Sequence, residues 1–213
     1  MASSGSGIES FELTGRNIRL EPLGRHHIDG LAAAAAVDPS LYRWSLVPQG
    51  REKTERYVET ALSWRNAGTA APFAIVDQTS GNVIGSTRFW NIEFWRWPAD
   101  HPSHARGLPD ICEIGHTWLT RAAIRTAANT EAKLLMLTHA FEVWNVLHVS
   151  LHTDERNERS RAAIVRIGST FEGILRSHRM AADFTPRNSA RFSILASEWT
   201  QVKAKLTALT VRD

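Results

Sequence analysis

Cysteine is nearly missing from this chain of 213 residues: Cys112 stands alone, which excludes an internal disulfide and fits a reducing compartment. Long apolar runs are missing as well. The longest bland stretch, LAAAAAV at 31–37, falls far short of the roughly 20 residues a membrane span needs. The opening MASSGSG has neither a basic start nor an apolar stretch behind it, so a flexible tail over 1–10 is expected there rather than a signal peptide. No G-x-G-x-x-G and no G-x-x-x-x-G-K-[ST] occurs, which removes support for dinucleotide or P-loop chemistry. The arginines are scattered and build no long basic block, so with a net charge of +3 a phosphorylated small ligand fits as well as nucleic acid. Internal repeats and low-complexity segments are absent. What remains, 43% hydrophobic and 22% charged, is enough for a proper core, and it predicts a cytoplasmic protein with one domain over 11–213.

Within those bounds the pattern is rich. FELTGRNIRLEPL (11–23) alternates as a first strand closed by Pro22, and residues 26–36 follow as a helix. DPSLYRW (38–44) makes a turn with aromatic contacts. In EKTERYVETALSWRNAG (52–68), Tyr57, Ala61, Leu62 and Trp64 recur at helical spacing, with Gly68 just past the end. APFAIVD, TSG and NVIGSTRF then read as a hairpin. From Trp90 to Asp110 the period is lost, and three tryptophans, three prolines and two histidines fill an insertion of the sort that is functional or mobile. ICEIGHTWL (111–119) alternates again, with Cys112, Ile114, His116 and Trp118 on one face and Glu113, Gly115 and Thr117 on the other. After Asn129, Leu134, Leu137, Phe141 and Trp144 share a helical stripe. LHVSLHTD (147–154) is a further strand, and NERSRAAIVRIG (157–168) a short helix that Asn157 caps and Gly168 ends. STFEGILRSHRM and RNSARFSILA form a closing hairpin before a helix from about Glu198. Interleaved strands, helices and hairpins predict an α/β or α+β fold on a mixed sheet.

Three groups of residues stand out chemically. Glu113 lies mid-strand in an apolar segment, so burial is expected to raise its pKa toward that of a general base; the alternative is a structural pair with one of the many arginines. Ser160 stands on the inward stripe of its helix, three, four and seven residues before Ala163, Ile164 and Ile167. Its hydroxyl either bonds to backbone or donates a proton to a leaving thiolate. Thr126, Asn129 and Asn157 are natural helix caps, and together they also suggest a ligand cradle at two neighbouring helix mouths. The stretch IRTAANTEAKLLMLTHAF (124–141) sharpens that idea. Small residues lead into a helix with no carboxylate before Glu131, as an anion seated on the helix N-terminus requires. His101 and His104 lack a second ligand cluster, so surface histidines are preferred to a metal site. Cys112 alternates away from Glu113 and is not read as a nucleophile.

PFAIVDQTSGNVIGSTRFWNIE, EIGHTWL, RTAANTEAKLLMLTHAFE, TDERNERSRAAIVRIGSTFEGILRSH and FSILASEW, in that order across residues 11–200, resemble the GNAT superfamily of N-acyltransferases. They look most like the branch that acetylates ribosomal-protein N-termini. The resemblance implies a twisted, mostly antiparallel sheet flanked by helices and splayed between two central parallel strands, here 112–119 and 147–153. It implies acetyl-CoA (or another acyl-CoA) as co-substrate, with no metal. The pantetheine arm would pair with the backbone of the first strand, which places Thr117, Trp118 and Leu119 in the cofactor site and their N–H groups at the oxyanion. The family's pyrophosphate loop maps onto Ile124, Arg125, Thr126, Ala127, Ala128 and Asn129. Asn157 would hold the pantetheine arm, Glu113 would activate the amine, and Ser160 would protonate the thiolate. The 90–110 insertion lies on the acceptor side, where Trp90, Trp95 and Trp97 are expected to shape a lid or pocket.

The loop departs from the family pattern: Ile124 replaces Gln or Arg, Ala127 replaces glycine, and Arg121 replaces a common proline. Those departures keep a second reading open, in which the donor is an acyl carrier protein or an aminoacyl-tRNA, and a third, a non-catalytic CoA-binding module. The expected acceptor is the primary amine of a small molecule or a protein N-terminus. No membrane partner is expected, and monomer and homodimer both stay open.

Overall fold

The computed structural model describes residues 10–211, so the expected tail falls outside it except for Ser10. Eight strands form one sheet in the order β1-β2-β3-β4-β5-β6-β8-β7. These are β1 (Leu13–Thr14), β2 (Ile18–Pro22), β3 (Ala70–Asp77), β4 (Val83–Glu93), β5 (Ile111–Leu119), β6 (His148–Asp154), β7 (Thr170–Met180) and β8 (Pro186–Leu195). Every neighbouring pair is antiparallel except β5 and β6. One face packs on α1 (Ile28–Ala36) and α2 (Arg51–Asn66) through Leu31, Val58, Ala61 and Trp118. The other packs on α3 (Ala128–Thr138) and α5 (Trp199–Val211) through Phe73, Phe89, Met136, Leu137 and Leu206. Ile164 and Ile167, at and just after the end of α4 (Glu158–Arg166), join this second core. The α2 pattern is met in full, and Gly68 takes the left-handed φ of +71° that ends the helix.

Three elements differ from the sequence expectation, each for a local reason. The first strand is two short ones, because buried Glu131 of α3 accepts backbone N–H bonds from Arg16 and from Asn17 (3.0 Å) and pins a turn between them. Trp90 to Glu93 belong to β4, where Trp90 pairs with Glu113, so the irregular insertion begins at residue 94. Third, β5 carries a bulge. Ser86 pairs with Trp118 but Arg88 pairs with Gly115, so one residue of β4 opposes two of β5, and His116 adopts φ +51°. The faces therefore exchange beyond Gly115. His116 and Trp118 turn toward the α1–α2 side and away from Cys112 and Ile114, while the Thr117 side chain turns to the α3 side.

Candidate active site

The parallel pair β5–β6 is joined over three positions only, Ile111↔His148, Cys112↔Val149 and Glu113↔Ser150. Beyond them both strands continue, β5 to Leu119 and β6 to Asp154, without pairing to each other. The centre of the sheet is thus a wedge, and Glu113 lies at its apex. Open strand edges offer unpaired N–H and C=O groups, which is what an extended ligand arm needs.

Glu113 is 2% exposed, yet its pKa is held below the ordinary glutamate value, which corrects the expected rise. Burial pushes the carboxyl up, but His152 and the Arg179 guanidinium pull it down further. Its Oε2 accepts from Asn91 Nδ2 at 3.0 Å and Arg179 Nη2 at 3.1 Å, and His152 Nδ1 lies 3.0 Å away. Those three contacts all fall on Oε2, and the Trp90 indole N–H also helps to lower the pKa, which leaves Oε1 as the less engaged oxygen and the one able to serve a ligand. Arg179 also lies over the Trp90 ring, 4.0 Å from its centroid, so the indole and the carboxylate share one cation. A pocket of about 140 Å³ opens here, lined by Glu113, Asn91, Ser150, His152, His178 and Arg179 among others. A larger groove of about 720 Å³ lies on α5 beside Trp199, Ala204 and Ala208. It is mostly apolar and has no part in the wedge.

The loop from Ile124 to Asn129 forms the entry to α3. Ala127 has an ordinary φ of −61°, and the loop's left-handed residue is Arg125, at φ +64°. The helix begins at Ala128, with Thr126 Oγ1 accepting from Ala128 N at 3.2 Å and donating to Ala123 O at 2.9 Å. The N-cap position is Ala127, which has no capping side chain; Thr126, one residue earlier, takes the Ala128 N–H, and Asn129 lies inside the first turn. The backbone N–H groups of Arg125, Thr126 and Ala127 donate to no backbone carbonyl among the described residues. Small Ala127 and Ala128 side chains leave these groups approachable, so the loop fits an anion.

Asn157 caps α4 as expected, accepting from Ser160 N at 3.1 Å. Ser160 is half-buried on the Ile164–Ile167 stripe, and its Oγ makes no hydrogen bond among the described residues. Arg166, at the far end of α4, donates to Thr130 Oγ1 in the first turn of α3 at 2.7 Å. Asn157 stands at the opposite end of α4, just after β6.

The three tryptophans separate. Trp90 lies against Arg179 and His116 in the site. Trp95 donates its backbone N–H, and Trp97 its indole N–H, to buried Asp110 at 2.6 and 2.8 Å, folding the insertion upon itself. His101 stacks on Trp97 at 4.1 Å, and His104 Nδ1 lies 2.9 Å from Trp97 O. Among the described residues, the one cluster with metal-ligand spacing is Glu21, His26 and His27. There His27 already spends Nε2 on Glu21 and Nδ1 on the Gly24 N–H. Cys112 is buried in the core, and burial pushes its thiol pKa up.

Asn91, His152, His178 and Arg179 escaped the sequence reading. They come from β4, β6 and β7, and only the folded sheet brings them to Glu113. The single local signal was the alternation of LHVSLHTD, which puts Ser150 and His152 on one face.

A sequence profile described as the acetyltransferase (GNAT) domain matches residues 17–170. No curated protein sequence matches the chain. Among solved structures, a GCN5-related N-acetyltransferase from Brucella melitensis is 30% identical at a TM-score of 0.80, over 96% of this chain and 87% of that one. RimJ of Mycobacterium smegmatis, in complex with CoA-disulfide, shares the fold at a TM-score of 0.72 and 19% identity, over 90% and 88% of the two chains. A ribosomal-protein-S5-alanine acetyltransferase from Vibrio fischeri does so at 0.67 and 14%, over 89% and 99%. No helix among the described residues is long and apolar enough to cross a membrane. A profile match over most of the chain, on a sheet that parts at its one parallel pair, makes this protein a member of the GNAT acetyltransferase family and an N-acetyltransferase.

Proposed function

We propose that residues 11–213 act as one catalytic unit transferring an acetyl group from acetyl-CoA to a primary amine by direct attack, with the acceptor entering on the Glu113 face. The observation that carries this reading is the wedge with a buried, ionised carboxylate at its apex. Acetyl-CoA supplies the thioester. The open edge of β5 at Thr117, Trp118 and Leu119 would bind the extended arm and hold the carbonyl oxygen through backbone N–H groups. The N–H groups of Arg125, Thr126 and Ala127, with the small residues Ala127 and Ala128 and the adjoining Asn129, would seat the pyrophosphate. Asn157 would offer its amide to the arm from the β6 side, and Ser160 Oγ would return a proton to the departing sulfur.

Glu113 works under a constraint. A carboxylate held ionised by His152 and Arg179 is a weak base, so its less engaged Oε1 would order the attacking amine or a water and draw the proton as the C–N bond forms. Trp90 walls the acceptor side. Trp95 and Trp97 organise the insertion rather than touch the acceptor; a shortened 94–110 loop that leaves acceptor KM and kcat unchanged would agree, and a large change in KM would restore the lid. The test of the whole reading is thiol release from acetyl-CoA across a panel of amines. Transfer without amine dependence, or only with an acylated carrier protein or tRNA, would overturn it.

A further inference from the structure

The charge around the acceptor pocket bears on which amine enters it, an inference that rests on the amine-transfer reading above. Arg88 sits on β4 opposite Gly115, two positions along β5 from Glu113 on the same face. It is 1% exposed and the largest fully buried side chain, yet no carboxylate pairs with it among the described residues. Its Nε and Nη2 have no hydrogen-bond partner there either. The guanidinium carbon lies 4.7 Å from the Tyr57 ring and 5.3 Å from the Trp64 ring, so two aromatic faces of α2 hold it flat in place. Such contacts offset part of the burial cost, but a buried cation with no anion stays expensive.

Arg88 is not alone. The His116 ring packs on Trp90 at 4.6 Å and Trp64 at 5.7 Å, and its pKa is pushed down to about 3. Burial does most of this, followed by the positive charge of Arg88, with Arg179 and Arg187 adding to it against the pull of Glu113. The charges of Arg88, Arg179 and Arg187 thus all bear on this one histidine. Arg179 already holds the Glu113 carboxylate. Arg187, half-buried on β8, donates its Nε to Ser189 Oγ at 2.9 Å and makes no ion pair among the described residues. The other nearby acid, Asp154, is engaged by Arg156 at 2.8 Å.

We propose that the acceptor carries a carboxylate within a few bonds of its amine and that Arg88, buried beside the Glu113 pocket and aided by Arg187, receives it, so that the substrate supplies the anion these guanidinium groups lack. A planar guanidinium fixed between rings presents its fork for bidentate recognition of a carboxylate, which a lysine does not reproduce. The distance along β5 from Glu113 to the Arg88 register is two residues, about 7 Å. Gly115 gives its Cβ space to the Trp90 indole: a Cβ there would lie 2.8 Å from Trp90 Nε1 and 3.3 Å from Glu113 Oε1. A free amino acid and a peptide with an acidic residue beside its N-terminus offer the same chemistry.

The experiment compares acceptors that differ only in that carboxylate: alanine against alaninamide, glutamate against its diamide, and Ala-Asp against Ala-Asn peptides with amidated ends. The carboxylate forms are expected to exceed their partners in kcat/KM by at least tenfold, in the free amino acids or in the peptides. Arg88→Gln should collapse that ratio toward one, with retained CoA binding reporting a folded protein. If Arg88→Gln fails to fold, Arg88→Lys and Arg187→Gln should each reduce the ratio. Transfer to amines with no carboxylate preference would overturn the inference and leave the transferase reading standing. Should no amine be acetylated, N-acetylalanine is titrated against tryptophan fluorescence, since Trp64 lies on Arg88. Quenching that N-acetylalaninamide does not produce and Arg88→Gln abolishes upholds the anion site while the amine-transfer reading falls; no quenching ends the inference.

Discussion

Two buried ionisable groups lie on opposite sides of β5 and meet opposite fates. On the α2 side, Glu113 keeps its charge because Arg179, Asn91 and His152 surround one of its oxygens. On the α3 side, Lys133 is also buried, but among the described residues its Nζ reaches only the Thr117 hydroxyl, at 2.7 Å. With no anion beside it, burial alone brings its pKa down to about 7. Burial pushes both groups toward neutrality, and the neighbours decide whether it succeeds. The fold maintains charge where catalysis is proposed and lets it fade at Lys133, between helix and sheet.

The largest break in this comparison comes from removing the compensated charge. Glu113→Gln keeps the shape and the Asn91 contact but loses the proton acceptor. It is expected to lower kcat by about 10²–10⁴-fold, the usual worth of a general base, with CoA affinity intact by calorimetry. Arg179→Gln sharpens the same point through pH. Losing that cation raises the Glu113 pKa, so a larger fraction is protonated at acid pH and the acid limb of kcat/KM moves to higher pH. At the acid end the loss should be about tenfold, near the worth of one charge-assisted hydrogen bond. An unmoved limb would mean that Arg179 only packs against Trp90.

How much of this was legible in the sequence follows from which interactions are local. Alternation announced β5 and β6, and the helical spacing of Tyr57, Ala61 and Trp64 announced α2. The Asn157 cap spans three residues and was readable for that reason. The bulge at His116 was not, because a non-glycine residue at positive φ leaves no compositional mark. That single residue moved Thr117 to the other face. The sign of the Glu113 shift was missed for a different reason: Arg179 is 66 residues away along the chain, and only the curl of β7 brings it near. The start of α3 is not legible because its N-cap is Ala127, a residue with no capping side chain, while Thr126 and Asn129 on either side both look like caps.

Removing the uncompensated charge should have the opposite sign. Lys133→Met replaces a buried amine by an apolar chain of similar length and is expected to stabilise the protein at pH 7 by about 1–4 kcal/mol, at roughly 2–4 °C of Tm for each kcal/mol. The pH dependence follows from the depressed pKa. Below about 7 both folded and unfolded chains hold the proton and the full penalty applies. Between about 7 and the ordinary value of 10.5 the unfolded chain binds more protons, so wild-type stability rises with pH. The advantage of Lys133→Met should therefore shrink across that window in calorimetric scans. A gain independent of pH would mean that packing, not charge, set the difference.

The smallest effect tests whether Thr117 is all that Lys133 has. Thr117→Val removes the one oxygen that the ammonium bonds among the described residues and also breaks the 2.8 Å contact with Thr87 Oγ1. In the wild-type background it should destabilise the fold by about 1–2 kcal/mol, since a buried donor is left unmatched. In the Lys133→Met background only the Thr87 contact is lost, so the cost should fall. The double-mutant cycle should then report a coupling near 1 kcal/mol between positions 117 and 133. Additive costs would place another acceptor around Nζ, and the contrast between the two faces of β5 would have to be redrawn with that group included.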